Sequence, residues 1–360
     1  MAVPYTRIVS EAIESYGDKE ASNNLAQYDG ITGVFGLKGA IEFEQGGREE
    51  FRERTLYGQN TNIAARGQNA QITTVDDEGY TLITTPQRLV NGAIVMNQIQ
   101  IDQVQGNAAL AISLADDKIK QFDSSWVITI ADLLRQATPG ASDPYTLLPS
   151  GTTGAVNGIL VARTPAQQGT DGATTAGISR GDNSWWRNQY SNTSFDLTSV
   201  AGRRGLDFNV YQPCTRGSGK DWQPNFGISG GAVMASLSAS ADNNRRGSIA
   251  DGEMAAFGYD NIMFQNAAII RDSSSRFLNG SASKVAFVNT KMLKVKVLKG
   301  AGKVSQSALN GRNGLKSLPI FWKHQMMSDI DTMNYVSVGY VTFNFVPKSL
   351  QDHGLADNCS

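Results

Sequence analysis

Ser229 has the sequence surroundings of a catalytic nucleophile. It lies in Gly227-Ile-Ser229-Gly-Gly231, which fits the G-x-S-x-G pattern of a strained strand-to-helix turn that exposes a serine hydroxyl. His324 follows downstream of several aspartates, in the order of a hydrolase triad. However, such a short pattern is expected by chance in a chain with 37 glycines, and the preceding strand would contain Asn225. We therefore expect no catalysis, and we keep a serine hydrolase that uses Ser229 as an alternative.

Other residue types that could hold a phosphate or a metal do not form a complete motif. Gly217-Ser-Gly219-Lys220 resembles the end of a phosphate-binding loop, but Cys214 stands where its first glycine belongs and no Ser or Thr follows the lysine. We interpret this segment as a turn. His324 and His353, the two histidines of the chain, are not near a cysteine pair, so the sequence predicts neither a metal site nor a cofactor.

The two cysteines, Cys214 and Cys359, are too few for a disulfide framework or a zinc site. The residues after Met1 lack the apolar segment of a signal peptide, which predicts synthesis in a reducing cytosol. Cys359 is the penultimate residue of a polar tail, so it could form an inter-chain disulfide after exposure to an oxidant, with Cys214 as the other candidate. Two unpaired thiols are the alternative, and we favour it.

Charge is unevenly distributed along the 360 residues, although the net charge is only −1. Residues 261–323 contain eight lysines and three arginines against one acidic residue, Asp272. Lys294 and Lys296 alternate with valines, which places both lysines on one face of a strand. That face could be solvated, bind an acidic surface on a neighbouring copy, or contact phosphate groups without sequence preference, in that order of preference.

The N-terminal part of the chain has the composition of projecting segments. Residues 1–36 are weakly amphipathic and acidic, which predicts an arm, with a frayed terminus as the alternative. Strand-like residues 51–57 lead into a polar stretch with an acidic tip, Asp76-Asp77-Glu78, and alternating apolar residues return over 93–102. A two-stranded arm of this kind is marginally stable alone. It therefore predicts obligate contact with other copies, with the acidic tip as a candidate contact.

A long helix and several strands follow. Apolar residues recur at spacings of three to five over 108–137, which predicts a helix that Thr138-Pro139-Gly140 ends. A short helix is predicted from Ala232 to Leu237. Strands are predicted over 284–298 and, most strongly, over 335–346. The mixture predicts an α+β protein.

Gly177 to Asn188 contains two adjacent tryptophans, Trp185 and Trp186, followed by Arg187, in a run of Gly, Ser, Asn and charged residues. Such a segment cannot pack a core of its own, so distant residues or another chain must cover its rings. We expect the same chain to cover at least one ring, and we regard Trp185, Trp186 and Arg187 as candidate assembly contacts. Arg180-Gly181-Asp182 spells an adhesion tripeptide, which we interpret as coincidence.

Several segments, in the same order along the chain, resemble the major capsid proteins of tailed bacteriophages with the Hong Kong 97-like fold. Thr55-Leu-Tyr-Gly58 resembles the start of the family's long extended loop, and Thr84-Thr-Pro86 resembles its returning side. The other segments are Gly177 to Asn188, Val210-Tyr-Gln-Pro-Cys214-Thr-Arg-Gly217, Phe257 to Asp272, and Phe287 to Leu293. The resemblance implies an N-terminal arm over 1–36 and first strands with an extended hairpin, the E-loop, over 37–104, the hairpin itself being about 48–92. It further implies a peripheral domain over 105–194 with a spine helix over 108–137, an axial domain over 195–315, and a return to the peripheral domain over 316–360.

The function implied by this resemblance is structural. Copies would assemble in the host cytoplasm into pentamers and hexamers of an icosahedral virion shell around double-stranded DNA, which they would contact non-specifically. A portal and a separate scaffolding protein are the other implied partners, and no membrane is involved. A tail or decoration protein of a phage is the alternative structural function.

The extended hairpin generates a first prediction, because no lysine occurs between Lys38 and Lys118. Some capsids of the resembled family are sealed by an isopeptide bond from a lysine of this hairpin, and here that bond has no donor. Assembled particles should therefore dissociate to single chains in boiling detergent with reductant. A ladder of covalent multimers on a denaturing gel would contradict this.

Overall fold

In a computed structural model, the protein is described over residues 30–46, 48–58, 79–97, 108–136, 142–147, 158–170, 174–217, 219–242, 261–272, 283–300, 318–328 and 333–360. The α-helices in these ranges are α1 (Gly30–Leu37), α2 (Ala108–Leu133), α3 (Pro165–Thr170), α4 (Val200–Leu206) and α5 (Gly231–Asp242). Among the described residues, no helix is long and apolar enough to cross a membrane.

A five-stranded sheet is built around the longest strand, β14. Its strands are β1 (Ile41–Glu44), β4 (Arg88–Asn97), β12 (Leu293–Leu298), β13 (Phe321–Ser328) and β14 (Met333–Pro347). β4, β12 and β13 each pair with β14 in antiparallel register, and β1 continues the sheet in parallel with β12. A separate hairpin, β2 (Glu50–Leu56) with β3 (Tyr80–Pro86), lies against this sheet.

Helix α2 packs on the five-stranded sheet through a notch made by two glycines. Gly92 of β4 and Gly339 of β14 are cross-strand partners. A methyl group on Gly92 would lie 2.8 Å from the ring of Phe122, and one on Gly339 would lie 3.0 Å from it. The notch therefore admits Phe122 of α2, which stacks on Trp126 at 5.5 Å and contacts Trp322 at 5.1 Å. Glycine is needed in both strands because any side chain would displace the helix.

The second sheet has six strands and receives the end of the chain in its interior. In spatial order its strands are β7 (Gln189–Ser191), β15 (Gly354–Ala356), β11 (Val285–Val288), β8 (Phe226–Ser229), β10 (Ala267–Arg271) and β9 (Asn261–Phe264). Two further short strands, β5 (Thr174–Thr175) and β6 (Ile178–Ser179), form a small hairpin before β7.

Charged side chains hold the C-terminal strand β15 in place. The Lys284 ammonium lies 2.8 Å from Asp357, and the Tyr190 hydroxyl donates to the same carboxylate at 2.6 Å. Arg216 lies 2.8 Å from the fully buried Asp352. Because buried carboxylates are stable only when they are paired, these contacts fix the position of the strand between them.

The predicted strand over 284–298 is wrong as a single element, because the chain changes sheets within it. β11 belongs to the six-stranded sheet and β12 to the five-stranded one. The turn between them is organised by the buried Asn289, whose carbonyl accepts from Leu293 N–H and whose side-chain amide donates to the carbonyl of Asp221. Periodicity alone could not reveal the turn, since β11 is a continuous apolar run and β12 alternates, and both patterns are typical of strands.

A buried ion pair joins the end of α2 to the six-stranded sheet. Arg135 Nε lies 2.7 Å from an oxygen of Asp272, just beyond β10, and both side chains are nearly inaccessible. Arg135 also donates to the carbonyl of Ala131. One apolar cluster runs continuously through both sheets, and a second fills the space between the six-stranded sheet and α4.

Some predicted element bounds are corrected by the structure. Residues 30–36, predicted to belong to an arm, lie in α1, whose Ile31, Val34 and Phe35 are buried in the core. Residues 1–29 lie outside the described residues. The helix predicted over 108–137 ends at Leu133, and the helix predicted over 232–237 extends from Gly231 to Asp242.

The prediction that alternation gave for the hairpin is wrong in its returning strand, whereas the resemblance placed the returning side at Thr84-Thr-Pro86, which lies in β3. Residues 93–97 belong to β4, which pairs with β14, whereas Tyr80–Pro86 is the strand that pairs with Glu50–Leu56. The hairpin therefore ends at Pro86 rather than near residue 92. Both candidate strands alternate in polarity, so only long-range pairing decides between them.

The buried His353 makes stability depend on pH. Burial lowers its pKa to about 3, so below pH 6.5 the unfolded chain binds a proton that the folded chain does not bind. Stability should fall by about 1.4 kcal/mol per pH unit from pH 6.5 towards 3, or about 2 kcal/mol by pH 5. His353→Asn keeps an acceptor for the Asn289 N–H, which donates to His353 Nδ1, and should lack this component. Denaturant unfolding at pH 7.5 and 5 measures it, and parallel losses in both proteins would contradict the assignment.

Candidate functional site

The β2–β3 hairpin has one face against the body of the protein and one face exposed. Phe51, Ile83 and Thr85 on the inner side are fully buried. On the other side Leu56 is 75% exposed, Tyr80 59% and Leu82 47%. Leu56 pairs with Tyr80 and Arg54 with Leu82, and the Arg54 guanidinium lies 5.9 Å from the centre of the Tyr80 ring. We call Arg54, Leu56, Tyr80 and Leu82 the hairpin outer face.

The two adjacent tryptophans pack against this hairpin just beyond the end of β2, and we call Trp185 and Trp186 the tryptophan platform. Trp186 is fully buried within its own chain, and its indole N–H donates to the carbonyl of Thr175 at 2.9 Å. Trp185 is half-buried, lies 5.6 Å from Trp186, and stacks on Tyr57 of the hairpin at 5.0 Å. The expectation that the chain itself covers at least one ring is therefore confirmed, and the pair connects the hairpin to the core.

Arg180 holds this platform together, and sequence reasoning missed its role. Its side chain is fully buried and donates to Thr175 Oγ1, Asn188 Oδ1 and the carbonyls of Gly158 and Ile159, at 2.6–3.3 Å. Asn188 in turn exchanges hydrogen bonds with the backbone of Val161. The available signal was a guanidinium close to two tryptophans in a segment otherwise poor in apolar residues. Only the fold shows that the two carbonyls it binds, those of Gly158 and Ile159, lie 22 and 21 residues upstream of Arg180.

Arg187, a candidate contact with another copy, forms hydrogen bonds with the backbone of its own segment. Its guanidinium donates to the carbonyls of Arg180 at 2.6 Å and Gly181 at 2.7 Å. The same segment meets the hairpin at Ala176, whose carbonyl accepts from Thr84 N–H at 3.2 Å. The whole segment therefore acts as a support for the hairpin.

Lys296 ties the hairpin to the five-stranded sheet. Its ammonium lies 2.5 Å from Glu44 of β1 and 2.8 Å from Glu53 of β2, and only 5% of the side chain is exposed. Burial alone would lower the pKa of Lys296, but the hydrogen bonds to Glu44 and Glu53 outweigh it and raise the pKa. Burial of Glu53 acts to raise its pKa, yet Lys296 and Lys348 hold it below its usual value.

These contacts correct the interpretation of Lys294 and Lys296. Both lysines do share one face of β12, but Lys296 is buried and its acidic partners belong to the same chain. Lys294 lies 3.5 Å from Glu42 of β1, with 12% of its side chain exposed. The three environments expected for this strand face were solvent, an acidic surface of a neighbouring copy, and phosphate groups. All three are wrong for Lys296, because acidic residues of its own chain already neutralise its charge.

Cys359 does not lie on an exposed tail, as the inter-chain disulfide hypothesis requires, but inside the protein. Cys359 and Cys214 are free cysteines, and both are fully buried. Burial, with a contribution from Asp357, raises the pKa of Cys359 to about 12, and burial also raises that of Cys214. An inter-chain disulfide would require both the sheet to open and the thiol to ionise.

The structure does not assemble a serine hydrolase site. Ser229 does end a strand before a helix, from β8 to α5, but its side chain is fully buried and contacts the carbonyl of Ile270 at 3.5 Å. His324 lies in β13 of the other sheet. A nucleophile elbow needs an exposed hydroxyl, and this one faces the protein interior. Among the described residues, no group of three His, Cys, Asp or Glu side chains could hold a metal ion.

A groove of about 390 Å³ runs between α2 and β4. Its walls include Asn91, Val95, Lys118, Phe122, Ser125 and Trp126. In the described part of the chain, β4 pairs with β14 alone, so its other edge has no partner strand there. Asp76, Asp77 and Glu78, the remaining candidate contacts, lie outside the described residues.

Gly177 tests how closely the tryptophan platform approaches the hairpin. Its φ is +82°, and a Cβ would lie 2.8 Å from Thr84 Oγ1. Gly39 has a φ of +65° and open space around it. Gly39→Ala should therefore cost about 1 kcal/mol of backbone strain, and Gly177→Ala should cost at least about 1 kcal/mol more.

The added cost should disappear when Thr84 is also changed to Ala, because the contacting hydroxyl is then removed. Denaturant unfolding of the four variants measures these differences. Equal costs at the two glycines, or no relief from Thr84→Ala, would show that the platform and the hairpin do not meet as described.

Comparisons with solved structures identify the fold. A chain of the cyanophage A-1(L) capsid asymmetric unit matches with a TM-score of 0.59 at 13% identity, covering 91% of this chain and 92% of that one. A capsid chain of a native GTA particle gives 0.47 at 10% identity, with 91% of each chain covered, and the capsid of Myoviridae phage XM1 gives 0.42 at 12% identity, with 89% and 90% covered. No protein-family model and no curated protein sequence matches. The chain has the α+β fold of a bacteriophage capsid subunit.

Proposed function

We propose that this chain is the major capsid protein of a tailed bacteriophage and forms the virion shell by self-association. Copies would assemble as pentamers and hexamers into an icosahedral shell that encloses double-stranded DNA, without catalysing a reaction. The fold shared with the cyanophage A-1(L) capsid chain over 91% of the sequence supports this proposal. The observation that carries it is the hairpin outer face, because it is largely apolar, rigidly supported and left exposed by the described part of the chain.

An isolated hairpin is marginally stable in water, because two strands need a further surface to cover their apolar face. The body of the protein covers the inner face of β2–β3, and the tryptophan platform and Lys296 hold the hairpin there. Leu56, Tyr80 and Leu82 remain exposed together, and a contiguous apolar patch of this kind marks a site of protein contact.

A second copy offers a complementary surface at the groove between α2 and β4. The edge of β4 that has no partner strand among the described residues can accept main-chain hydrogen bonds from an added strand. Val95 at the groove is 44% exposed, and Phe122 and Trp126 form the apolar floor of the groove. We infer that the hairpin of one subunit lies along this groove of its neighbour, covering both apolar surfaces at once.

The remaining parts of the proposal follow the resemblance. The five-stranded sheet with α2 would be the peripheral domain, and the six-stranded sheet would be the axial domain. With this assignment the sheets cross the bounds expected from the sequence, since β12 falls within 195–315 but joins the five-stranded sheet, and β7 and β15 fall outside 195–315 but join the six-stranded one. Packaged DNA would be contacted without sequence preference, a portal would occupy one vertex, and a separate scaffolding protein would guide assembly in the host cytoplasm. The alternative, a tail or decoration protein, requires the chain to bind a particle that other proteins have built.

Assembly of the purified chain tests the proposal. Negative-stain microscopy should show closed shells, tubes or hexameric rings. Leu82→Glu should abolish them, because it places a charge in the covered apolar contact. Leu82→Met, which keeps the apolar surface, should assemble normally. Unchanged thermal unfolding of the subunit would show that the charge acts on assembly rather than on folding.

Two outcomes would contradict the proposal. A wild-type chain that remains monomeric at all concentrations, and binds only to shells formed by another protein, would favour a decoration protein. A Leu82→Glu variant that assembles as well as the wild type would show that the hairpin outer face is not a contact between subunits.

A further inference from the structure

A second group of exposed apolar residues lies on the six-stranded-sheet side of the molecule, far along the chain from the hairpin. Helix α4 continues without interruption into a π-helical turn, Asp207–Tyr211. Leu206, Val210 and Tyr211 face inwards and are buried, whereas Val200 is 56% exposed and Phe208 71%. Arg204, exposed as well, lies between them in sequence. The spacing of four residues places Val200, Arg204 and Phe208 on one side of the helix, and we call them the helix patch.

The π-helical turn helps to present Phe208 while keeping its neighbours in the core. The Gln212 N–H donates to the carbonyl of Asp207, five residues earlier, which widens the helix at this point. Asn209 Nδ2 donates to the carbonyl of Gly205 at 2.8 Å and so satisfies an acceptor in the preceding turn. Such wide turns are rare and are found mostly at functional positions. Here the turn holds a large aromatic ring in solvent.

A differently charged patch lies on the loop that precedes β8. The Trp222 ring lies over Gly217 and Gly219, where added methyl groups would approach it to 3.8 and 3.5 Å, and the residue is still 46% exposed. The adjacent Asp221 side chain is 75% exposed, with Lys291 4.0 Å away. Its backbone is held by Asn289, which donates to the Asp221 carbonyl at 3.0 Å. We call Asp221 and Trp222 the loop patch.

We propose that the helix patch of one subunit binds the loop patch of the next subunit around the axis of a capsomer. This inference rests on the proposed function and names a second contact, distinct from the hairpin. Arg204 gives the helix patch a positive charge and Asp221 gives the loop patch a negative one, each beside an apolar side chain. The contact between Asp221 and Lys291 is long, at 4.0 Å, and exposed, so the carboxylate can exchange it for an arginine of a second copy. Arg204 matches Asp221 as an ion pair and can stack on the exposed face of Trp222. Phe208 and Val200 then cover the remaining apolar surface of the loop.

The two patches differ from each other, which determines the kind of assembly that they can form. A contact between unlike surfaces runs head to tail and closes into a ring when the rotation between neighbouring copies permits it, whereas a two-fold dimer would need one surface that matches itself. An exposed ion pair contributes little stability alone. Burial of Phe208 must therefore supply most of the affinity, and the charges supply the register and the choice of partner.

Charge exchange tests the contact. Arg204→Glu and Asp221→Arg should each abolish rings and shells at concentrations at which the wild type assembles. The double variant, which restores opposite charges with the signs exchanged, should regain assembly. Phe208→Ser should abolish assembly without any change of charge. Light scattering and negative-stain microscopy measure assembly, and circular dichroism with thermal unfolding should show that each isolated subunit folds like the wild type.

The outcomes separate this contact from the proposed function. A wild-type chain that never assembles would contradict the proposed function itself. If the wild type assembles and the single variants assemble equally well, the helix and loop patches do not form the contact. If the single variants fail and the double variant also fails, Arg204 and Asp221 do not face each other, and the pairing of the two patches is wrong.

Discussion

A two-stranded hairpin cannot cover both of its faces with the residues of one small sheet. In this chain the body of the subunit covers one face of β2–β3, through Phe51 and Ile83, and leaves the other exposed. The apolar surface that remains must be covered by another molecule or stay in water at a cost in free energy. Two features hold the exposed surfaces in fixed positions. The glycine notch seats α2 and so fixes the groove, and the tryptophan platform supports the hairpin.

Buried polar groups, rather than apolar volume alone, provide that rigidity. Arg180 binds main-chain carbonyls of a distant segment, Lys296 bridges two strands of different sheets, and Arg135 joins α2 to the six-stranded sheet through Asp272. Such groups are costly to bury, and each is compensated only in one geometry. They therefore specify how the parts fit, although replacing one with a well-packed apolar residue need not lower stability.

The two proposed contacts between subunits differ in their physical basis. The hairpin and groove contact would be dominated by apolar burial and main-chain pairing, which favours a permanent shell. The helix and loop contact combines one large aromatic ring with an exposed ion pair, which favours recognition of a neighbour in one register. A shell needs both properties, since subunits must first find the correct ring and then remain closed around their contents.

The sequence alone determined several parts of this protein. The periodicity of residues 108–137 predicted the long helix, which ends at Leu133, and the alternation over 335–346 predicted the strand at the centre of a sheet. The order of short motifs indicated the capsid fold that the comparison with a solved capsid chain confirms. The adjacent tryptophans also marked a segment that distant residues had to cover. Each of these depends on local spacing or on large side chains in polar surroundings, which a sequence displays directly.

Only the tertiary structure decided which segments meet. It paired residues 80–86, and not 93–97, with β2, and it divided 284–298 between two sheets. It also buried Cys359 beside Phe195, far upstream in the chain, and gave Lys296 acidic partners from its own chain. Alternating strands are nearly interchangeable by pattern. Their partners are chosen by contacts between residues far apart in the chain, such as Gly92 with Gly339, whose energies no local pattern records.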